Sequence, residues 1–346
     1  MRFKITRRSI QMPAVPYYGV QQGGIGYIKL NEFTENSAKI VRNAFIDMRH
    51  QQIKGLILDL RNNGGGSELE AANLVNLFVP KGVTVVSNRG KLKRANHDYK
   101  TTSEPIDTVI PIVVMVNGNS ASSAEIVTGA LQDMDRAVVL GTKTYGKGLV
   151  QMPIDLPYNS EMKVTTSRYY IPSGRCIQAR KYRHNDGGSS EVIADSTKRK
   201  FYTLNGREVL DAGGITPDVV VEGDSLPNIA YYLAAARDSN EVLLNYEVDY
   251  IAKHPTVAQP ADFELSDEDY AEFKKRVLDS GFTYDRTSEK FLKDLEQLTR
   301  FEGYYDDAKP EFEALKKKLS HNVAKDLEYN KQAIKNIINN DLMAAY

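Results

Sequence analysis

The chain has 346 residues, of which 41% are hydrophobic and 26% are charged, and this composition is typical of a soluble globular protein with two or three domains. Lys plus Arg and Asp plus Glu both number 45, and the zero net charge argues against a dedicated nucleic-acid-binding protein. The single cysteine, Cys176, excludes an intrachain disulfide.

The N-terminal segment is basic, but no apolar stretch follows it. Residues 1–8 read MRFKITRR, and no later run reaches the roughly 20 apolar residues of a membrane span. We therefore expect neither a signal peptide nor a membrane-spanning helix in this sequence. Residues 3–6 are typical of a strand, and Pro13, Pro16 and Gly23-Gly24 indicate a linker after it.

Between residues 26 and about 222 the pattern alternates between strands and helices. Short apolar runs predict strands at 26–30, 55–60, 83–86, 111–116 and 137–140. Apolar residues at helical spacing predict helices at 37–52, 71–79 and 124–132. The apolar stripe of the first helix consists of Ile40, Val41, Ala44, Phe45 and Met48. This order predicts an α/β sheet with crossover helices.

The pattern changes after residue 148. Residues 149–156 and 162–171 are typical of antiparallel strands separated by a turn at 157–160, and the polar residues 180–200 indicate an exposed loop. From residue 226 onward amphipathic helices are predicted at 229–236, 267–278, 289–299 and 312–338. The sequence therefore predicts a separate helical region at the C-terminal end.

The segment VNGNSASSAEI (116–126) follows an apolar strand and begins a helix. A serine at such a turn is exposed above the sheet, and the N–H groups and dipole of the helix favour a negative charge that develops beside it. Ser120, Ser122 and Ser123 are candidate nucleophiles that composition cannot rank. The alternative is that these serines only cap the helix.

Lys147 lies between two glycines in the segment TYGKG (144–148). A neutral lysine amine can take the proton of a serine hydroxyl and so activate it, whereas the alternative is an ordinary surface lysine. Residues 141–148 also match the first seven positions of a phosphate-binding loop. The eighth position is Gly148 instead of Ser or Thr, and the following residues are typical of a strand instead of a helix. Both features argue against nucleotide binding.

The segment DLRNNGGG (59–66) follows a buried strand, and its glycine N–H groups are candidates for binding an oxyanion. We expect Asp59 and Arg61 to brace this loop as an ion pair. The five histidines are scattered outside these motifs, although one could still complete a triad in space. No HExxH, CxxC or carboxylate cluster is present, so we expect no metal and no cofactor.

Five segments, taken in order, resemble the carboxyl-terminal processing peptidases, also called tail-specific proteases. The similarity extends from about residue 25 to 222 and rests on DLRNNGGG (59–66), VNGNSASSAEIVTGALQD (116–133), TYGKGLVQ (144–151), YYIPSGRCIQ (169–178) and GGITPDVVV (213–221). Five ordered motifs are far more specific than any one of them.

The resemblance implies a role for each residue of the site. It makes Ser122 the nucleophile, Lys147 the base and Gln151 the residue that orients the lysine amine. On a strand, residues four apart share a face, which would direct Lys147 and Gln151 into one site. The oxyanion hole would use the N–H of Gly66, or that of Gly65, and that of Ser123. The remaining residues, expected to give structural support, are Asp133, Asp59 and Arg61.

The resemblance also implies an α/β fold with a crotonase-like (ClpP/crotonase-type) core and antiparallel strands after the catalytic lysine. On this basis residues 1–24 form the end of a PDZ-type domain and a linker, residues 25–222 the peptidase core, and residues 223–346 a helical extension. The expected partners are protein substrates bound by their C-terminal tails, and the helices could also form a homo-oligomer. The expected location is the periplasm or another exported compartment.

A second function remains open at this stage. The chain could be a non-catalytic binding or scaffold protein that retains the peptidase fold. The small part of the PDZ domain in the sequence and the long helical extension motivate this alternative. The presence of Ser122, Lys147 and Gln151 speaks against it.

Overall fold

A computed structural model of the chain describes residues 6–7, 12–182, 190–194, 197–222, 226–235, 241–257, 263–320 and 322–345. The chain divides into two units, Met1–Gly223 and Asp224–Tyr346. The strand predicted at residues 3–6 lies mostly outside the described residues.

The strands all lie in the first unit. In chain order they are β1 (Tyr17–Gln21), β2 (Ile25–Lys29), β3 (Gly55–Asp59), β4 (Thr84–Gly90), β5 (His97–Lys100), β6 (Ile112–Val116), β7 (Val138–Gly141), β8 (Leu149–Leu156), β9 (Ser160–Tyr170), β10 (Arg180–Tyr182), β11 (Ser190–Val192), β12 (Lys200–Tyr202), β13 (Glu208–Leu210) and β14 (Val219–Val220).

These strands form two main sheets. The first has the order β1-β2-β3-β6-β7-β14 and is parallel except for β1, which pairs antiparallel with β2. The second is antiparallel, with the order β5-β4-β9-β8. This arrangement confirms the predicted α/β sheet and the antiparallel strands that follow residue 148. Strands β1, β5, β12, β13 and β14 are absent from the sequence prediction, because β14 has only two residues and the other four are short and weakly apolar.

Three helices pack in the first unit: α1 (Ser37–Arg49), α2 (Glu68–Asn76) and α3 (Ser123–Asp133), with α2 against both α1 and α3. Helix α2 begins three residues earlier than predicted, because Ser67 caps it by accepting a hydrogen bond from the N–H of Glu70. The predicted stripe of α1 is buried except at Ile40, which is 41% exposed. Each large apolar side chain buried in this core contributes about 1.5–3 kcal/mol to folding.

The loops that carry the sequence motifs meet at one edge of the parallel sheet. Strands β3, β6 and β7 are neighbours and run in the same direction. Their carboxyl ends are followed by the glycine loop (60–66), the serine turn (117–122) and the lysine loop (142–148). Because the carboxyl ends of parallel strands lie at the same edge, the fold brings together three segments that are distant in sequence.

Strands β8 and β9 extend beyond the second sheet as a two-stranded arm. Strand β4 pairs with β9 only from Ser167 to Tyr170, whereas β8 pairs with β9 as far as Leu156 and Ser160. The arm carries exposed apolar side chains on one face, and Tyr158 at its tip is 99% exposed. The turn at 157–160 lies where the sequence predicted it.

The predicted loop at 180–200 is partly regular. Strands β10 and β11 pair antiparallel within it, with Lys181 opposite Glu191. The prediction of a loop was therefore wrong for these residues. Cross-strand hydrogen bonds pair these two strands although both are polar and lack the apolar alternation of a typical strand.

A buried ion pair fixes the segment that follows β9. Asp133 at the end of α3 accepts from Arg175 at 2.7 Å, and the two side chains are 0% and 1% exposed. Asp133 also accepts from the N–H of Ser173 at 3.0 Å. Burial lowers the pKa of Arg175, whereas the negative charge of Asp133 and its hydrogen bond raise that pKa. Removing one partner of such a pair leaves an uncompensated buried charge, so Asp133 has the structural position that the sequence suggested.

Helices are the regular secondary structure of the second unit in its described residues. Its helices are α4 (Asn228–Ala234), α5 (Val242–Lys253), α6 (Asp267–Asp279), α7 (Thr287–Glu302), α8 (Tyr305–Lys318), α9 (Val323–Tyr329) and α10 (Lys331–Ala345). The predicted helix at 312–338 is divided among α8, α9 and α10, because Asn322 caps a new helix by accepting from the N–H of Lys325. No helix in the described part of the chain is long and apolar enough to cross a bilayer.

One acidic side chain is buried in this helical unit. Glu247 in α5 is 9% exposed, and its Oε1 has no hydrogen-bond partner within the described chain. Burial raises the pKa of Glu247 from 4.5 to about 7, and the neighbouring Asp341 carboxyl acts in the same direction. The folded state therefore holds this proton up to a higher pH than the unfolded chain does, and stability falls as the pH rises between these two values.

We expect the Glu247→Gln substitution to remove this pH dependence, because glutamine carries no proton to lose. The thermal midpoint of the wild-type chain should fall between about pH 5 and pH 8, and the variant should fall less. Circular dichroism at the two pH values measures both. Glu268→Gln, at an exposed position in α6, is the control and should behave as wild type. An equal fall in Glu247→Gln and wild type would contradict the prediction.

Candidate active site

The structure separates the three candidate serines by the contacts of their hydroxyl groups. Ser120 and Ser123 are both 0% exposed. Ser120 Oγ donates to the carbonyl of Leu60 at 2.8 Å, and Ser123 Oγ donates to that of Gly66 at 2.8 Å. Ser122 is only partly buried, and no oxygen among the described residues accepts a hydrogen bond from its Oγ. Of the three, Ser122 therefore has the hydroxyl available for reaction.

The backbone of Ser122 is strained. Its φ of 56° and ψ of −118° lie in a region that residues with a side chain rarely adopt. Such a conformation costs about 1–3 kcal/mol and persists only where the surrounding structure enforces it. It occurs at the turn from β6 into α3 and presents the side chain at the edge of the sheet.

The glycine loop lies directly against this turn. A Cβ atom on Gly65 would be 2.7 Å from Cβ of Ser122 and 2.8 Å from the carbonyl oxygen of Ala121, so only glycine fits. Ala121 N–H donates to the carbonyl of Asn63 at 2.9 Å. Asn63 is fully buried and donates through Nδ2 to the carbonyl of Leu30 at 2.8 Å. The glycine loop is therefore bound to the serine turn through Ala121 and to the end of β2 through Leu30.

The candidate oxyanion donors differ in whether their N–H groups are already used. Gly65 N–H donates to Oδ1 of Asn63 at 2.9 Å. The N–H groups of Gly66 and Ser123 have no acceptor among the described residues. Gly66 also lines a cavity of about 350 Å³, together with Met12, Asn31 and other residues. The available donors beside Ser122 are therefore those of Gly66 and Ser123, rather than that of Gly65.

Lys147 lies in the loop between β7 and β8 and is partly buried. Nζ of Lys147 and Oγ of Ser122 do not hydrogen-bond to each other in this structure. The expectation that Lys147 and Gln151 share the face of one strand is wrong, because β8 begins only at Leu149 and its register shifts between Val150 and Gln151.

The carboxylate of Glu125 connects the serine turn to the lysine loop. Its Oε2 accepts from the N–H of Ser122 and from the N–H of Lys147, both at 2.9 Å. Its Oε1 accepts from Thr144 Oγ1 at 2.6 Å and from the N–H of Gly146 at 2.7 Å. One side chain therefore binds the backbones of both candidate catalytic residues.

Glu125 is 0% exposed. Burial raises its pKa from 4.5 to about 7, and the hydrogen bonds from Thr144, Lys147, Gly146 and Ser122 act in the opposite direction. Glu125 also lies in the first turn of α3, where the helix dipole favours a negative charge. The four donors suit the ionised carboxylate, which accepts and does not donate.

Tyr169 makes a second connection between the same two residues. Its hydroxyl donates to the carbonyl of Lys147 and lies 3.4 Å from that of Ser122. The side chain is 1% exposed, and burial raises its pKa well above 10, with the charge of Glu125 contributing. Glu125 thus binds the N–H groups of Ser122 and Lys147, whereas Tyr169 contacts their carbonyl groups.

The sequence analysis did not identify Glu125 or Tyr169. For Glu125 a pattern was available, since a serine followed three residues later by glutamate is typical of a capping box at a helix start. That pattern explains the bond to Ser122 but not the bond to Lys147. For Tyr169 no local pattern exists, because its partners come from two other segments.

Gln151 is exposed and lies on β8, opposite Thr165. Among the described residues it forms no hydrogen bond with Lys147. A different glutamine contacts the lysine loop: Gln178 is 7% exposed, and its Oε1 accepts from the N–H of Gly148 at 2.7 Å. The structure therefore places Gln178, and not Gln151, against this loop.

Asp59 and Arg61 pair as the sequence suggested. Arg61 donates to Asp59 through Nε at 3.0 Å and through Nη2 at 2.8 Å, and Tyr27 donates to the same carboxylate at 2.6 Å. Burial alone would raise the pKa of Asp59, but the hydrogen bonds from Arg61 and Tyr27 outweigh it and hold the pKa at about 2. The pair stays charged and anchors the start of the glycine loop.

The structure also bears on a histidine-containing triad and on a metal site. His50 and His97, the described histidines of the first unit, lie at the end of α1 and in β5, and neither hydrogen-bonds to Ser122. His184 lies outside the described residues. Within the described chain no cluster of three His, Cys, Asp or Glu residues could hold a metal ion.

Comparison with protein families gives two matches. Residues 24–186 match the model of peptidase family S41, and residues 229–346 match that of the probable PDZ-protease, C-terminal helical domain. The first match contains the glycine loop, the serine turn and the lysine loop, and the second contains the helices from α4 onward.

Curated relatives match about half of the chain. A carboxy-terminal-processing protease of Bartonella bacilliformis is 40% identical over 179 residues, or 51% of this chain and 41% of the relative. A chloroplastic C-terminal processing peptidase of Tetradesmus obliquus is 35% identical over 158 residues, or 45% of this chain and 33% of the relative. The chain thus spans less than half the length of these relatives.

Among solved structures, a photosystem II D1 C-terminal processing protease has a TM-score of 0.47 and 27% identity over 64% of this chain and 52% of that one. The S41 match contains the motifs that surround Ser122 and Lys147. Residues 24–186 therefore belong to peptidase family S41, and residues 229–346 form a PDZ-protease C-terminal helical domain.

Proposed function

We propose that the chain is a serine endopeptidase that cleaves proteins near their C-termini, with Ser122 as nucleophile and Lys147 as base. The observation that carries the proposal is the buried carboxylate of Glu125, which binds the N–H groups of both residues. Ser122 and Lys147 are both partly exposed, so a substrate can reach the two side chains while Glu125 holds their backbones.

The reaction begins with a proton transfer. The neutral amine of Lys147 takes the proton of Ser122, and Oγ attacks the scissile carbonyl. Lys147 then gives this proton to the leaving amine, and water releases the acyl group from Ser122. The hydrogen bond between the two side chains forms when the substrate is bound, as catalytic hydrogen bonds often do.

The developing oxyanion needs hydrogen-bond donors that are in place before the reaction. The unused N–H groups of Gly66 and Ser123 meet this need. Ser123 Oγ is bound to the carbonyl of Gly66 at 2.8 Å, which fixes the two peptide groups relative to each other. Donors arranged in this way typically contribute a factor of about 10²–10³ each to the rate.

The substrate binds by an extended tail. Strand β8 forms one edge of the antiparallel sheet and follows directly after the lysine loop. An edge strand offers unpaired N–H and C=O groups, so a peptide can pair with it without much sequence preference. The names of the Bartonella and Tetradesmus relatives support a substrate cleaved near its C-terminus.

The second candidate function is that of a non-catalytic scaffold. It is favoured by one observation, the missing hydrogen bond between the Ser122 hydroxyl and the Lys147 amine. A serine-reactive fluorophosphonate probe at alkaline pH distinguishes the two functions: an adduct on Ser122 supports the peptidase, and its absence from a folded, substrate-stimulated sample supports the scaffold.

We also propose that the protein acts in the periplasm or another exported compartment, on the basis of the motifs that it shares with the carboxyl-terminal processing peptidases. A homo-oligomer through the helical unit is supported by α7. There Phe291, Leu295 and Leu298 lie at helical spacing on one face and are 67%, 49% and 51% exposed. A second copy of the same apolar face would cover this stripe.

One prediction concerns Ser122 and Lys147, the proposed catalytic dyad. Ser122→Ala and Lys147→Ala should each lower the rate of cleavage of unfolded casein by about 10⁴-fold or more, because either change removes the nucleophile or its base. Gel electrophoresis over time measures the cleavage. Lys163→Ala, an exposed lysine of β9, is the control and should cleave as wild type. Full activity in either dyad variant, with unchanged circular dichroism, would refute the mechanism.

The second prediction concerns the residues that position the dyad. Glu125→Gln places an amide NH₂ against N–H donors, and Tyr169→Phe removes the hydroxyl that contacts both carbonyls. Each should lower kcat by about 10²-fold with little change in KM, because a small misplacement of reacting groups has effects of this size. Tyr170→Phe, the next residue of β9, is the matched control. A purely structural role would lower the thermal midpoint and leave kcat per folded molecule unchanged.

The third prediction concerns assembly. The wild-type chain should form dimers at micromolar concentration, and the double substitution Phe291→Glu with Leu295→Glu should keep it monomeric, because charges on the stripe prevent its burial. Analytical ultracentrifugation measures both. Leu244→Glu, at an exposed position of α5, is the control. A wild-type chain that stays monomeric would contradict this proposal.

A further inference from the structure

The outer face of the antiparallel sheet carries a cavity of about 650 Å³ that adjoins a second one of about 190 Å³. Arg168, Gln178 and Arg180 line both, so the two form one continuous groove. We call it the cationic groove and define it by the basic residues along it, which are Arg89, Lys91, Arg168, Arg180, Lys181 and Arg199.

The register of the sheet creates this concentration of charge. Arg89 on β4 lies opposite Arg168 on β9, and Arg168 lies opposite Leu149 on β8. Because side chains alternate along a strand, the two arginines share the face opposite to that of buried Tyr169. Like charges directly opposite each other in a sheet are unfavourable, and an anion bound between them relieves the repulsion.

The acidic residues near the groove balance its charge only in part: Glu191 lies opposite Lys181 in the β10–β11 pair, and two further carboxylates form ion pairs. Asp98 binds Arg89 at 2.6 Å, and Asp211 binds Arg199 at 2.8 Å. No aspartate or glutamate of the described chain lines the larger cavity, and Arg168 has no acidic partner there. Thr166 Oγ1 is buried in the same region without a hydrogen-bond partner in the described chain. The whole chain is neutral, so this groove is a local excess of positive charge.

The groove is connected to the candidate active site by two residues. Leu149 lines it and lies at the start of β8, directly after the lysine loop. Gln178 also lines it, and its Oε1 binds the N–H of Gly148. An extended chain paired with the free edge of β8 therefore passes from the groove to Lys147.

We propose that the cationic groove binds acidic side chains of the substrate that lie close in sequence to the scissile bond. This inference rests on the proposed peptidase function and adds a substrate preference to it. An acidic peptide is favoured over other anions because the groove follows an edge strand, which supplies backbone pairing that neither a lipid headgroup nor free phosphate can use.

The test measures binding separately from cleavage. The Ser122→Ala protein is titrated into two fluorescein-labelled peptides that are identical except that one carries three glutamates where the other carries three glutamines. The glutamate peptide should bind about tenfold more tightly by fluorescence anisotropy, because hydrogen bonds between charged groups are stronger than those between neutral ones. Arg168→Gln in the same protein should remove most of this difference, and the advantage should also shrink at high salt.

Arg42→Gln, an exposed arginine of α1, is the matched control and should leave the difference intact. Lys91→Gln is a second groove variant in case Arg168→Gln unfolds. Equal binding of the two peptides, or an equal loss in Arg42→Gln, would overturn the proposal. So would Arg168-dependent binding to phosphatidylglycerol vesicles without any preference for the glutamate peptide, which would assign the groove to a membrane surface.

A kinetic measurement with intact Ser122 completes the test. The glutamate peptide should have the lower KM at similar kcat, and Arg168→Gln should raise KM for that peptide while leaving the glutamine peptide unchanged. If neither peptide is cleaved, the peptidase function fails, but the binding comparison still decides the groove. If both are cleaved with equal KM, the groove proposal fails and the peptidase function stands.

Discussion

The buried carboxylate of Glu125 is the interaction on which the candidate site depends. Its oxygens bind the N–H groups of Ser122 and Lys147 together with Thr144 and Gly146. The serine turn and the lysine loop follow different strands, so without this group nothing in the local sequence of either would set their distance. Tyr169 acts on the same two residues from the carbonyl side. The geometry of the site is therefore a property of the tertiary structure.

The burial of Glu125 is unfavourable in free energy, whereas its hydrogen bonds are favourable. Burying a carboxylate is unfavourable, and this is what raises the pKa of Glu125 to about 7. The four donors and the N-terminus of α3 stabilise the charge in return. The positive φ of Ser122 is a further unfavourable term, and it is enforced by the bond to Glu125 and by the close approach of Gly65. The strain is thus localised at the residue whose hydroxyl must be presented.

Local sequence patterns located the motifs but not their contacts. The alternation of strands and helices, together with the glycine-flanked Ser122 and Lys147, was sufficient to predict the α/β core. The prediction that Lys147 and Gln151 point to the same face was wrong, because it assumed that both lie on one regular strand. Strand β8 begins only at Leu149, and its register shifts between Val150 and Gln151. Glu125, Tyr169 and Gln178 were not found because their partners are brought close only by the packing of three segments. In the helical unit, α5 was missed because tyrosines and acidic residues interrupt its apolar stripe.

The lysine loop is also bound to a segment that comes much later in the chain. Thr144 N–H donates to the carbonyl of Ile215 at 3.1 Å, and Thr144 Oγ1 accepts from the N–H of Ile215 at 2.6 Å while donating to Glu125. On the ribosome, the serine turn and the lysine loop emerge well before residue 215. The contacts that hold Thr144 therefore form only after residue 215, which lies 71 positions further along the chain, has been synthesised.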